Sequence, residues 1–133
     1  MIRAVADTHA IIWYLYNDAR LSPLARASIE DAAVAGEQIA LSSTTLAEMV
    51  YLIEKDRIDA AALTRLAAAL DEANAVLVDI PFDRHIARTM GRVARSQVPD
   101  LPDRIIAATA LHLGVPVISR DRKIQASGLK AIW

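Results

Sequence analysis

The chain contains no cysteine. Disulfides, thiolate metal sites and a cysteine nucleophile are therefore excluded, and any metal must be held by oxygen or imidazole. Aromatic residues make up only 5% and phenylalanine occurs once, so the core has to be built from Leu, Ile, Val and Ala, a composition that favours helices packed closely on something flat. No charge excess is present either. Fifteen Lys+Arg against sixteen Asp+Glu leave a formal net charge of −1, which excludes a protein that holds nucleic acid by bulk positive charge. Long hydrophobic runs are missing too: the uncharged stretch from Thr8 ends at Asn17, far short of the roughly 20 residues a membrane span needs. No small-residue cleavage site follows it, so the chain is read as soluble and cytoplasmic, with no membrane partner. An internal repeat, a low-complexity tract and a linker long enough to divide the chain are likewise absent.

What is present is 54% hydrophobic residues in 133, a size and composition that predict one compact domain, residues 1–133. Short β-branched runs alternate with segments of helical period, the pattern of βα units around a mostly parallel sheet. Strands are expected at Arg3–Ala6, Gln38–Leu41, Val76–Ile80 and Val117–Ser119, with a fifth at Lys130–Trp133. Ser22-Pro23 supplies an N-cap and a proline at the first helical position, and Gly36 stops the helix that runs to Val34. Apolar spacing predicts further helices from Thr45 to about Lys55, after Asp59, from Phe82-Asp83 to about Arg95, and from Asp103 to Leu113, with Gly114 as the stop.

In open parallel sheets ligands bind beyond the carboxyl ends of the strands. Asp7 directly follows the first strand, Glu48 lies in the first turn of the helix after the second, Asp103 opens a helix, and Asp121 follows the Val117–Ser119 strand by two residues. Each also has a structural reading. Asp7 and Asp121 can cap helices, Asp103 can complement a helix dipole, and Thr45-Leu46-Ala47-Glu48 fits a capping box. Taken together, carboxylates that converge raise one another's pKa unless a cation compensates them. Mg²⁺ or Mn²⁺ prefers such all-oxygen sites and suits phosphoryl chemistry. Thr8 and Ser119 place hydroxyls beside two of the acids, as water-orienting groups or local caps. His9, His85 and His112 lack metal-ligand spacing.

Arg84, Arg88, Arg92 and Arg95 recur at four, four and three residues, which aligns them on one face of the expected Asp83–Arg95 helix. Such a stripe suits a phosphate backbone, or is a solvated face. Arg104, Arg120, Arg122 and Lys123 flank Asp103 and Asp121 and put positive charge where a phosphodiester would be held.

Val5-Ala6-Asp7-Thr8-His9-Ala10, Thr45-Leu46-Ala47-Glu48-Met49, Pro99-Asp100-Leu101-Pro102-Asp103-Arg104 and Val117-Ile118-Ser119-Arg120-Asp121, in this order over essentially the whole chain, resemble PIN-domain nucleases, and more narrowly the VapC toxins of toxin–antitoxin pairs. The resemblance implies a three-layer α/β/α fold with a mostly parallel sheet of about four to five strands. It implies Mg²⁺- or Mn²⁺-dependent endoribonuclease activity, homodimerisation and inhibition by a VapB-like antitoxin. It makes Asp7, Glu48, Asp103 and Asp121 the metal-binding acidic site, with Thr8 and Ser119 in support. Leu101 stands where the family commonly has proline, so Asp100 is carried over only as a supporting residue. Two other classes remain open: a receiver-like Mg²⁺-binding signalling domain, and a catalytically silent PIN fold that binds protein. Leu46, Met49, Val50 and Ile53 are read as core, with a groove for an antitoxin helix as the second reading.

Overall fold

A computed structural model describes residues 1–133. Five parallel strands, β1 (Ile2–Ala6), β2 (Gln38–Ser42), β3 (Leu77–Ile80), β4 (Val117–Ile118) and β5 (Ala131–Ile132), form one sheet in the order β3-β2-β1-β4-β5. All five expected strands are present, the last one included. The helices are α1 (Thr8–Leu15), α2 (Pro23–Val34), α3 (Ser43–Glu54), α4 (Ala62–Asp71), α5 (Arg84–Thr89), α6 (Leu101–Leu113) and α7 (Arg122–Ala126). None is long and apolar enough to cross a membrane.

Side-chain alternation along the strands divides the apolar residues into two cores. Ala4, Ala6, Ile39, Leu41, Leu77 and Ile118 face one side, where α1 to α4 cover them. Val5, Ala40 and Val117 face the other, beneath Ile86 of α5, Ile106 and Ala107 of α6 and Ile124 of α7. A parallel sheet must be covered on both faces, and this one makes the middle of three layers. The alanines of β1, fully buried, leave room for the α1 side to approach closely.

Three helix ends depart from the sequence reading. Ser42 caps α3 by accepting from the Thr44 N–H at 3.2 Å, so the Thr45–Glu48 capping box does not form and Glu48 lies in the second turn. Asp100, not Asp103, caps α6: its Oδ2 accepts from the Asp103 N–H at 3.1 Å. The helix expected to reach Arg95 ends at Thr89 and passes into a 3₁₀ turn over Met90–Arg92, with Val93 extended. Four residues of one hydroxyl-rich run, Ser42 to Thr45, can each cap a helix, and the end of β2 selects the first.

From β1 the chain builds outward through β2 to β3, then crosses to the other side of β1 for β4 and β5. The crevice between the carboxyl ends of β1 and β4 is the switch point where open α/β sheets bind ligands.

Candidate functional site

A cavity of about 400 Å³ opens at this switch point, and Asp7, Glu48, Asp100, Asp103 and Asp121 all line it. Sequence separated them by more than a hundred residues; the fold converges them. Asp7 directly follows β1, and its N–H still donates to the Ile118 carbonyl at 3.0 Å, so the strand ladder fixes the backbone that carries the carboxylate. Its Oδ1 accepts from the Ala10 N–H at 2.9 Å, capping α1. The cap that the sequence offered at Asp7 thus forms, in a side chain that also lines the cavity. Asp121 likewise caps α7, accepting from the Lys123 N–H at 2.7 Å.

Hydroxyls support the acids. The Thr8 hydroxyl donates to Glu48 Oε1 at 3.1 Å and lies 3.0 Å from the Thr45 Oγ1. With its own proton committed to Glu48, Thr8 accepts from Thr45, giving the relay Thr45, Thr8, Glu48. Thr45 was read only as a cap; its position one turn before Glu48 was the signal. Ser119 is fully buried and its Oγ accepts from the Asp121 N–H at 3.0 Å, beside Asp7.

The electrostatics are those of charge held against its preference. Burial pushes the Asp7 carboxyl up, with Asp121 adding to it, while Ser119, the Ala10 N–H and His9 work the other way. Burial also raises Glu48, against the Thr8 hydrogen bond. Asp103 is pushed up to about 7, first by burial and then by the charges of Asp100 and Asp121. None of these five carboxylates is in an ion pair, and Asp7 is only 9% exposed. No three His, Asp or Glu side chains are drawn close enough to make a ready ligand set. The all-oxygen donors nevertheless fit a hydrated hard cation, since Mg²⁺ keeps several waters and takes one or two carboxylates directly.

The basic candidates separate. Arg120 lines the cavity. Arg122 is exposed at the start of α7. Arg84 and Arg88 are exposed on α5, whereas Arg92 closes the 3₁₀ turn and Arg95 lies beyond it, so the four do not form one helical stripe. Arg104 points elsewhere. Its Nε donates to the Val93 carbonyl at 3.1 Å and its Nη2 to the Met90 carbonyl at 2.9 Å; the guanidinium closes the end of the α5 segment and does not line the cavity. His9 and Trp13 also line the cavity, spaced i and i+4 on α1, the periodicity that would have placed Trp13 there.

A receiver-like arrangement does not fit. Its strand order is 2-1-3-4-5, whereas β3-β2-β1-β4-β5 is found, and no lysine lines the cavity.

The chain is 27% identical over 126 residues to Ribonuclease VapC22 of Mycobacterium tuberculosis, an alignment covering 95% of this chain and 92% of the relative. Its fold is similar to a chain of the Rickettsia felis VapBC2 complex bound to a DNA fragment from its promoter, with a TM-score of 0.71 at 20% identity over 98% of this chain and 97% of the other. A toxin–antitoxin complex from Klebsiella pneumoniae gives a TM-score of 0.63 at 24% identity, over 98% and 96%. The PIN domain family profile matches residues 4–128. Strands β2, β3 and β4, most of β1 and every acid of the cavity fall within that match, and the chain belongs to the PIN domain family.

Proposed function

We propose that this protein is a Mg²⁺- or Mn²⁺-dependent endoribonuclease and the toxin of a toxin–antitoxin pair. The observation that carries the chemistry is the set of five carboxylates around one switch-point cavity, none of them neutralised by an ion pair. Such a set costs stability unless a cation compensates it. The relatives named as a ribonuclease and as toxin–antitoxin complexes support the biological role.

Asp7, Asp103 and Asp121 would hold the metal, with Glu48 as a further ligand or as the group that orients the attacking water. When bound, the metal polarises the phosphoryl oxygen and lowers the pKa of the nucleophilic water. The chain's own residues do the rest. Thr8 holds Glu48 in one orientation through its hydroxyl. Ser119 fixes the Asp121 backbone next to Asp7, and Asp100 orders the first turn of α6 that presents Asp103. A VapB-like antitoxin, a homodimer and a cytoplasmic location belong to the same proposal.

Wild-type protein should cleave RNA from a structured panel in Mg²⁺ or Mn²⁺ and leave it intact in EDTA. Asp7→Asn, which keeps the α1 cap acceptor, should lose roughly 10³-fold in rate, the order lost when a group central to charge stabilisation is removed, with circular dichroism unchanged. Full metal-dependent activity in Asp7→Asn, or equal cleavage in EDTA, refutes the assignment.

A further inference from the structure

Of the arginines near the site, only Arg120 lines the cavity, and its donors are free. Arg104 is committed to two carbonyls, and Arg20 is held by Asp18 through Nε–Oδ1 at 3.1 Å and Nη2–Oδ2 at 2.7 Å. Arg120 makes no side-chain hydrogen bond to the protein and no ion pair, although it stands between Ser119 and Asp121 in a cavity lined by five acids. Its fixed contact is aromatic: the guanidinium carbon lies 4.6 Å from the centroid of Trp13. Trp13 is itself immobilised. It is 5% exposed, with Arg20 at 5.1 Å and the ring of Trp133 at 5.8 Å.

Stacking on an indole orients the guanidinium plane while leaving its donors unspent. A planar fork of this kind matches the paired oxygens of a phosphodiester. Arg120 is also the one permanent cation in the cavity lining, so it supplies a positive charge that does not depend on the metal. We propose that Arg120 is the phosphate-binding residue of this site, and that Trp13 is the positioning residue that holds its guanidinium over the acidic cavity for the RNA backbone. The inference rests on the nuclease reading for its substrate, but its test does not depend on turnover.

The experiment measures binding of a fluorescein-labelled single-stranded RNA by anisotropy in Mg²⁺ across a salt series, with Asp7→Asn as the parent so that the RNA survives. Adding Arg120→Ala, at an exposed position, should weaken binding about tenfold and reduce the slope of log affinity against log salt by about 0.7, one phosphate contact on a single strand. Arg120→Lys should restore the slope but only part of the affinity, because charge returns without the planar fork. Trp13→Phe, which keeps a smaller ring, should fall between parent and Arg120→Ala in affinity at an unchanged slope. Arg57→Ala, an exposed arginine outside the cavity, should change neither. Parental affinity in Arg120→Ala, or an equal loss in Arg57→Ala, overturns the proposal. In the wild-type background Arg120→Ala should raise KM more than it lowers kcat. Wild-type protein that leaves RNA intact in Mg²⁺ overturns the nuclease reading instead, and the binding comparison still decides the role of Arg120.

Discussion

The two ends of the sheet are both acidic and both open, yet they are built differently. At the amino ends of β2 and β3 a cavity of about 540 Å³ is lined by Glu37, Glu72 and Asp79 among others. It is larger than the 400 Å³ cavity at the carboxyl ends. Glu37, however, is paired with Arg3 at 2.8 Å, and none of the three acids is fully buried. At the carboxyl ends burial and mutual repulsion raise Asp7, Glu48 and Asp103, and no ion pair relieves them. Cavity size alone does not distinguish a site from a surface. Carboxylates kept desolvated without a counter-charge do, because such an arrangement is unfavourable by itself and persists where a ligand compensates it.

The largest effect should come from supplying the missing charge. Mg²⁺ at about 100 times its Kd should stabilise the wild-type chain by roughly 2.7 kcal/mol, the mass-action gain of a ligand that binds only the folded state. Asp7→Asn combined with Asp103→Asn should abolish most of that gain, whereas Glu37→Gln combined with Glu72→Gln should retain it. Thermal denaturation across a Mg²⁺ titration checks both. Equal losses at the two ends would remove the distinction between them.

The strand layout was legible in the sequence because buried parallel strands read as β-branched runs, and Asp7 and Asp121 were legible because the first follows such a run directly and the second by two residues. Helix starts were less so. In Ser42-Ser43-Thr44-Thr45 every residue can cap, and between Asp100 and Asp103 two acids compete for one N-terminus; only the tertiary path decides. The Arg84–Arg95 stripe failed because helical period was extended past the real end of α5, where carbonyls of Met90 and Val93 are closed by Arg104 from α6 rather than by another turn. Local pattern contains no information about that long-range cap. Arg104 and Arg120 look alike in sequence, each adjoining a site aspartate, and only their contacts separate a structural arginine from a free one.

A smaller effect isolates the repulsion itself. Burial and the charges of Asp100 and Asp121 push the Asp103 carboxyl up to about 7 in the folded chain, against an ordinary value of 3.8. Between about pH 4 and 7 the native state therefore keeps a proton that the unfolded chain has released. The stability this contributes is present below about pH 4 and is lost as pH rises through 7. In EDTA, Asp103→Asn should remove this decline and be the more stable protein at pH 8, by about 1 kcal/mol after solvent screening, or roughly 3–5 °C in Tm. Below pH 4 the two should coincide. A variant that is less stable at pH 8 would mean that the Asp103 carboxylate supports the first turn of α6 through the helix dipole rather than being a strained ligand.

The smallest effect belongs to the other end. Arg3 and Glu37 remain partly exposed, with side-chain accessibilities of 34% and 22%, so water screens the pair and its loss should cost no more than about 1 kcal/mol. Arg3→Ala should accordingly lower Tm by a few degrees at most, an effect that shrinks as salt is raised because the remaining attraction is itself screened. It should leave metal-dependent RNA cleavage unchanged, because nothing links that pair to the cavity beyond β1 and β4 except the rigid sheet. A matched loss of cleavage in Arg3→Ala would mean that the two ends of the sheet are coupled, and that the amino-end cavity belongs to the working site after all.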